Sequence, residues 1–251
     1  MIHKTFTVDG TPDIEVRIES GRVEVHRSSG NEVDVKADTK LPGFIVEQRG
    51  NSILVSSDKD SWLSRGSAYI VIETPPKSDL NVSVASAPVY VDVELAKADI
   101  KTASGDIEID EVETLSVKTA SGDLSVRSVE RSLAFVSASG DLRITESATG
   151  SVVASTASGD VHIDESDATI SMNTASGDAH IRRYIGRNAS FKGMSGTIDL
   201  GIPSGTDVEL DVNLLSGKLR VPDPEPRKSP PVRRMTIKAK LVSGDLNITR
   251  A

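Results

Sequence analysis

The 251-residue sequence contains no cysteine, so nothing in it points to a disulfide-stapled secreted scaffold. It is poor in aromatics: one Trp, three Tyr and four Phe make up 3% of the chain. A core of this composition is built from Val, Leu, Ile and Ala, which suit a thin interior between two sheets better than large rings do. No stretch approaches the roughly 18 apolar residues of a membrane-spanning helix. Charge is not concentrated by sign. With 29 basic and 37 acidic residues the formal net charge is −8, and no basic block stands out, which argues against nucleic acid as a partner. The first ten residues, Met1 to Gly10, lack a charged segment followed by an apolar run, so the sequence predicts a cytoplasmic protein without a signal peptide. No Ser/His/Asp set, metal-protease motif or phosphate-binding loop is present.

What the sequence has in quantity is a repeat. Thr102-Ala-Ser-Gly-Asp106, Thr119-Ala-Ser-Gly-Asp123, Ser137-Ala-Ser-Gly-Asp141, Thr156-Ala-Ser-Gly-Asp160 and Thr174-Ala-Ser-Gly-Asp178 are near-identical. Weaker copies stand at Met194-Ser-Gly-Thr197, Leu215-Ser-Gly-Lys218 and Val242-Ser-Gly-Asp245. The glycines are separated by 17, 18, 19, 18, 19, 21 and 27 residues, the signature of a repeat architecture. Within one unit, Leu115, Val117 and Thr119 alternate with Ser116, Lys118 and Ala120, as in a half-buried strand. Ser121-Gly122-Asp123 breaks the alternation with residues that favour a bend, glycine by allowing positive φ. Leu124 and Val126 then resume it.

Two short strands in about 18 residues leave no room for a helix and cannot bury their own apolar face. Stacking successive copies solves both problems, each strand pairing with its counterpart in the next coil at ~4.8 Å. An antiparallel meander with Ser-Gly-Asp hairpin turns is the alternative, but Asn-Gly and Asp-Gly are the favoured tight turns. The predicted fold is therefore all-β: a β-solenoid of stacked two-strand coils over residues 81–251, continuous with an irregular β-rich N-terminal cap over residues 1–80.

In the N-terminal part, Ile14, Val16 and Ile18 alternate, and Ser20-Gly21-Arg22-Val23-Glu24-Val25 resembles the repeat unit, but the period is not kept. The expectation is a cover for the exposed end of the stack. Trp62, in a polar loop, is expected to plug that cover. Residues 79–93 read as a first coil without its glycine, with Pro88 in phase at the corner. Five prolines in Pro222 to Pro231 predict an extended exposed loop. Met235 to Arg250 is then expected to return and close the stack.

Tandem Thr/Ser-Ala-Ser-Gly-Asp units behind an irregular β-rich start resemble the bacterial β-strand-repeat family known as "putative adhesins", a domain of unknown function. The resemblance covers most of the chain, best from about residue 80 to 251. It implies a β-solenoid and a binding or surface role, and it carries no catalytic residues over.

Stacking turns each repeat position into a row. Asp106, Asp123, Asp141, Asp160 and Asp178 form one, which could bind calcium. One Asp per coil with no second acidic row fits better with carboxylates that accept backbone and Ser hydroxyl hydrogen bonds at the corner. These bonds offset a repulsion of about 1 kcal/mol per pair in water. Thr102, Thr119, Ser137, Thr156 and Thr174 share the parity of the apolar residues, so their hydroxyls are expected to point inward and bond the neighbouring coil; that parity argues against an exposed ice-binding ladder. Glu108, Ser125, Arg143, His162, His180, Asp199, Arg220 and Asn247 form an outward row of mixed charge, a solvated face. His162 and His180 occupy adjacent rungs, but two ligands alone do not make a zinc site.

No catalytic, cofactor-binding or metal-ligating residue is assigned. The expected function is a non-enzymatic binding or scaffold module whose long faces contact an unknown protein or another copy of itself. A carbohydrate-binding or metal-responsive solenoid is the alternative.

Overall fold

The computed structural model describes residues 1–41, 43–57, 66–223 and 233–251. Every regular element among them is a β-strand. The fold is an all-β solenoid with an open sheet, and its contacts divide the chain into two units, Met1–Ser125 and Val126–Ala251.

The first unit holds β1 (Ile2–Thr7), β2 (Asp13–Ile18), β3 (Gly21–Arg27), β4 (Glu32–Thr39), β5 (Ile45–Arg49), β6 (Ser52–Ser56), β7 (Ala68–Thr74), β8 (Ser78–Val84), β9 (Val89–Val91), β10 (Leu95–Lys101) and β11 (Ile107–Lys118). Its coils do not stack in chain order. β2 lies parallel between β6 and β8. β3 lies parallel between β7 and β9. Residues 13–27 therefore form a coil between the pair β6 and β7 and the pair β8 and β9. β10 follows on β8, and the two halves of β11 follow on β9 and β10. Inward side chains make rows of like size, such as Val55–Val16–Val82–Ile100–Val117 and Ile72–Val25–Val91–Ile109. All are buried, which removes several hundred Å² of aliphatic surface from water at roughly 25 cal/mol per Å².

Only part of the N-terminal region is a cover. β4 pairs antiparallel with β7, β1 with β4, and β5 with β6. These three strands block the otherwise open edges of β6 and β7. The segment 13–27 is itself a coil because it has the inward parity and the bend glycine that a coil requires. A β-carbon on Gly21 would stand 1.9 Å from the Ala68 carbonyl oxygen.

The second unit holds β12 (Leu124–Ser137, from two residues before the boundary), β13 (Leu142–Ser147), β14 (Ser151–Thr156), β15 (Val161–Ser166), β16 (Thr169–Thr174), β17 (Ala179–Tyr184), β18 (Asn188–Ser195), β19 (Ile198–Ile202), β20 (Thr206–Ser216), β21 (Leu219–Arg220), β22 (Arg233–Ser243) and β23 (Leu246–Arg250). All their pairings are parallel, in two columns. One runs β12–β14–β16–β18–β22–β20. The other runs β13–β15–β17–β19–β23–β21. Large and small residues compensate along the rows: Phe135 faces Ala154, and Phe191 lies between Met172 and Ala239. At one corner the Ser147 hydroxyl donates to Ser166 at 2.7 Å. Tyr184, next in that row, is buried with its hydroxyl donating to the Asn188 carbonyl, and burial pushes its phenol well above the usual range.

Met235 to Arg250 does not close this stack. It is inserted between residues 188–202 and 206–220, so the outermost coil is the earlier segment 206–220. The burial follows this order: Met235, Ile237, Ala239 and Leu241 of β22 are buried, whereas β20 is mostly exposed. Trp62 and residues 224–231 of the proline-rich loop lie outside the described residues.

Candidate functional site

The repeated bend has one construction throughout. The hydroxyl of its first residue accepts a hydrogen bond from the glycine amide three residues on: 2.8 Å at Thr102, Thr119, Thr156 and Thr174, and 2.6 Å at Ser137. The hydroxyls do point inward, but they close their own bend. Only Thr102 also reaches the coil before it, donating to the Ala85 carbonyl at 3.4 Å. Gly105, Gly122, Gly159 and Gly177 do not adopt positive φ. They are glycines because a β-carbon would come within 2.0–2.2 Å of a carbonyl oxygen of the adjacent coil. Ala87 rather than Pro88 takes the glycine position of the first coil, since its carbonyl is the one Gly105 rests on.

The aspartates link coil to coil. Asp106 Oδ1 accepts from the Asp123 amide (3.1 Å), Asp141 from Asp160 (2.8 Å), Asp160 from Asp178 (2.8 Å) and Asp178 from Thr197 (2.6 Å). Asp245 accepts from the Lys218 amide at 2.9 Å, in the spatial order of the coils. A carboxylate that takes a backbone amide has a structural task at the corner. Among the described residues no group of three His, Asp or Glu side chains could hold a metal ion.

The outward faces carry the remaining polar groups. In the second column Arg143, His162, His180, Asp199, Asn247 and Arg220 succeed one another as rungs. The His162 and His180 rings stack, centroids 5.0 Å apart and planes 16° from parallel. His162 lies 3.4 Å from Asp164 and His180 3.8 Å from Asp199. Asn247 donates to Asp199 and accepts from Arg220, both at 2.8 Å.

Two features escaped the sequence. In the first unit the Tyr69 hydroxyl donates to Glu24 at 2.6 Å, and Arg22 lies over the Tyr90 ring at 4.4 Å. The Tyr69 bond, helped by Arg22, holds the Glu24 carboxyl below its ordinary value. Nearby, a 2.7 Å hydrogen bond to Asp92 raises the pKa of His26. The period did not reveal this cluster because its residues come from separate segments, 22–26, 69 and 90–92. In the second unit, Met194, Val242 and Leu215 form an outward apolar row, 63%, 50% and 81% exposed. The signal was available, since each replaces the alanine of the Ala-Ser-Gly motif.

The sequence model of the Toastrack DUF4097 family matches residues 11–249. Among solved structures, a "putative adhesin" from Parabacteroides distasonis aligns over 98% of this chain and 96% of its own, at 13% identity and a TM-score of 0.47. A "putative adhesin" from Parabacteroides merdae gives 98%, 95%, 13% and 0.47. A "putative lipid binding protein" from P. distasonis gives 100%, 96%, 12% and 0.45. A comparison with curated proteins found no match.

Proposed function

The chain belongs to the Toastrack DUF4097 family, and from that premise we propose that it is a non-enzymatic binding or scaffold module that contacts a protein, or a further copy of itself, through its outward faces. The observation that carries this reading is the unbroken outward row Arg143–His162–His180–Asp199–Asn247–Arg220. Neighbouring strands set its rungs ~4.8 Å apart. Asn247 bonds both Asp199 and Arg220 and the His162 and His180 rings stack, so this part of the row is held as a patterned surface of both charges. Such a surface favours recognition by complementary charge, which fixes register and partner choice. The bend carboxylates each accept a backbone amide from the next coil, which supports a structural task for that row.

Photoreactive residues substituted at Arg143 and His180, combined with chromatography and light scattering across concentration and with and without calcium, test this. Discrete cross-links from these positions to one protein or to a second copy support the reading. A chain that cross-links to nothing there, and whose mass or melting point follows calcium, is a metal-responsive module instead.

A further inference from the structure

The end of the second stack is a long parallel strand, β20. Among the described residues β20 pairs with β22 alone, over Thr206 to Ser216. The amides and carbonyls of its other edge form a template for strand addition. Its inward side chains Val208, Leu210, Val212 and Leu214 stand in register with Met235, Ile237, Ala239 and Leu241. The β22 set is buried, while Leu210 of the β20 set is 36% exposed. Its outward side chains include Asp207, Glu209 and Asp211, and the apolar Leu215 follows.

We propose that the open edge of β20 binds an extended segment of a partner protein whose side chains alternate between aliphatic and basic. The proposal rests on the binding reading above and names the partner's chemistry. The charge pattern selects it. On its occupied edge β20 meets a strand of this kind: Arg234 stands opposite Asp207 and Lys238 opposite Asp211, with aliphatics between. A strand of the same pattern on the free edge would flank the three acids with cations and cover the aliphatics. A second copy fits poorly. The antiparallel self-pairing that keeps Val208 opposite Leu214 and Leu210 opposite Val212 sets Asp211 against its own copy, and like charges directly opposite are unfavourable. An anionic membrane surface is repelled by the same acids.

The probe is a fluorescent peptide with the sequence of β22, Arg233 to Ser243, titrated into the full chain and followed by anisotropy. Two control peptides keep its length: one has Glu at every Arg and Lys position, the other Ser at the four inward positions. The expected result is saturable binding of the first, weakened at least about tenfold in both controls, the loss typical of a buried charge or apolar contact. Asp211→Lys in the protein should weaken the first peptide and strengthen the Glu peptide. Leu215→Ser, at an 81% exposed position, should weaken the first peptide while leaving the melting curve unchanged.

Equal affinity of the Glu peptide overturns the charge assignment. Absence of binding by all three shows that the acids only guard the edge. Concentration-dependent dimerisation that competes with the peptide assigns the edge to a second copy and overturns the proposal too. Cross-linking from positions 143 and 180 is decided separately, so a failed peptide with intact cross-links there overturns only the β20 partner.

Discussion

Gly159 lies where a β-carbon would stand 2.0 Å from the Gly140 carbonyl oxygen and 2.9 Å from Thr156 Oγ1. Both neighbours are held, the first by the adjacent coil and the second by its bond to the Gly159 amide. Gly159→Ala must therefore push two coils apart, at a cost of about 3 kcal/mol, the upper range for an overpacked site. Ser158, one residue earlier, is exposed, and its hydroxyl reaches the Ala138 carbonyl only at 3.5 Å. Ser158→Ala should cost no more than about 0.5 kcal/mol. Chemical denaturation of both variants checks the difference, and equal losses would refute the close-approach account. The sequence marked this glycine by its recurrence but suggested a turn conformation. Van der Waals contact with another coil leaves no local trace in the motif that distinguishes it from a positive φ.

At the level of the strand, parity was legible and position in the stack was not. Inward rows in β2, β8 and β16 follow from alternation alone. Which coil lies on which does not, because any strand with two or three inward aliphatics fits any other. One residue did record the order. Each coil needs a bend aspartate only when another coil donates an amide to it. Leu215-Ser-Gly-Lys218, which has lysine there, is the outermost coil, while Val242-Ser-Gly-Asp245 keeps its aspartate because Lys218 stacks on it. Thr197 in the second unit, and Arg22 and Pro88 in the first, are inner exceptions. The burial difference between β20 and β22 gives a matched test. Ile237→Ala empties a fully buried position and should cost about 2–5 kcal/mol. Leu210→Ala, directly opposite but 36% exposed, should cost about 1 kcal/mol or less. Reversed magnitudes in thermal or urea melts would put Met235 to Arg250 back at the end of the stack.

For the chain as a whole, the period near 18 was the legible feature, and it predicts that a coil can be excised. Deleting Asp160 through Gly177 removes one period of the second unit and joins Gly159 to Asp178. β13 then meets β17 and β14 meets β18, with Ile144 on Ile181 and Ala154 beneath Phe191, a pairing like that of Phe135 with Ala154. In a stack each coil touches only its neighbours. The variant should stay soluble, with a β-type circular dichroism spectrum and a lower melting point. Deleting only Asp160 to Ala168 should misplace a strand and unfold part of the unit. If the longer deletion aggregates and the shorter one behaves like the parent, coil modularity fails. What the period could not show is that each unit also holds one coil out of order, residues 13–27 in the first and 233–250 in the second.

The second of these has a consequence for biosynthesis. During translation residues 206–220 leave the ribosome before residues 233–250, yet the strand on which β20 lies is β22. Until residues 233–243 are synthesised, β20 lacks the strand it pairs with, and Val208, Leu210, Val212 and Leu214 stay solvated on a nascent chain. Growth of this stack is therefore not vectorial here: these two coils can settle only once residues 233–250 have emerged, and a ribosome stalled near residue 225 would present an unseated aliphatic strand to chaperones and proteases.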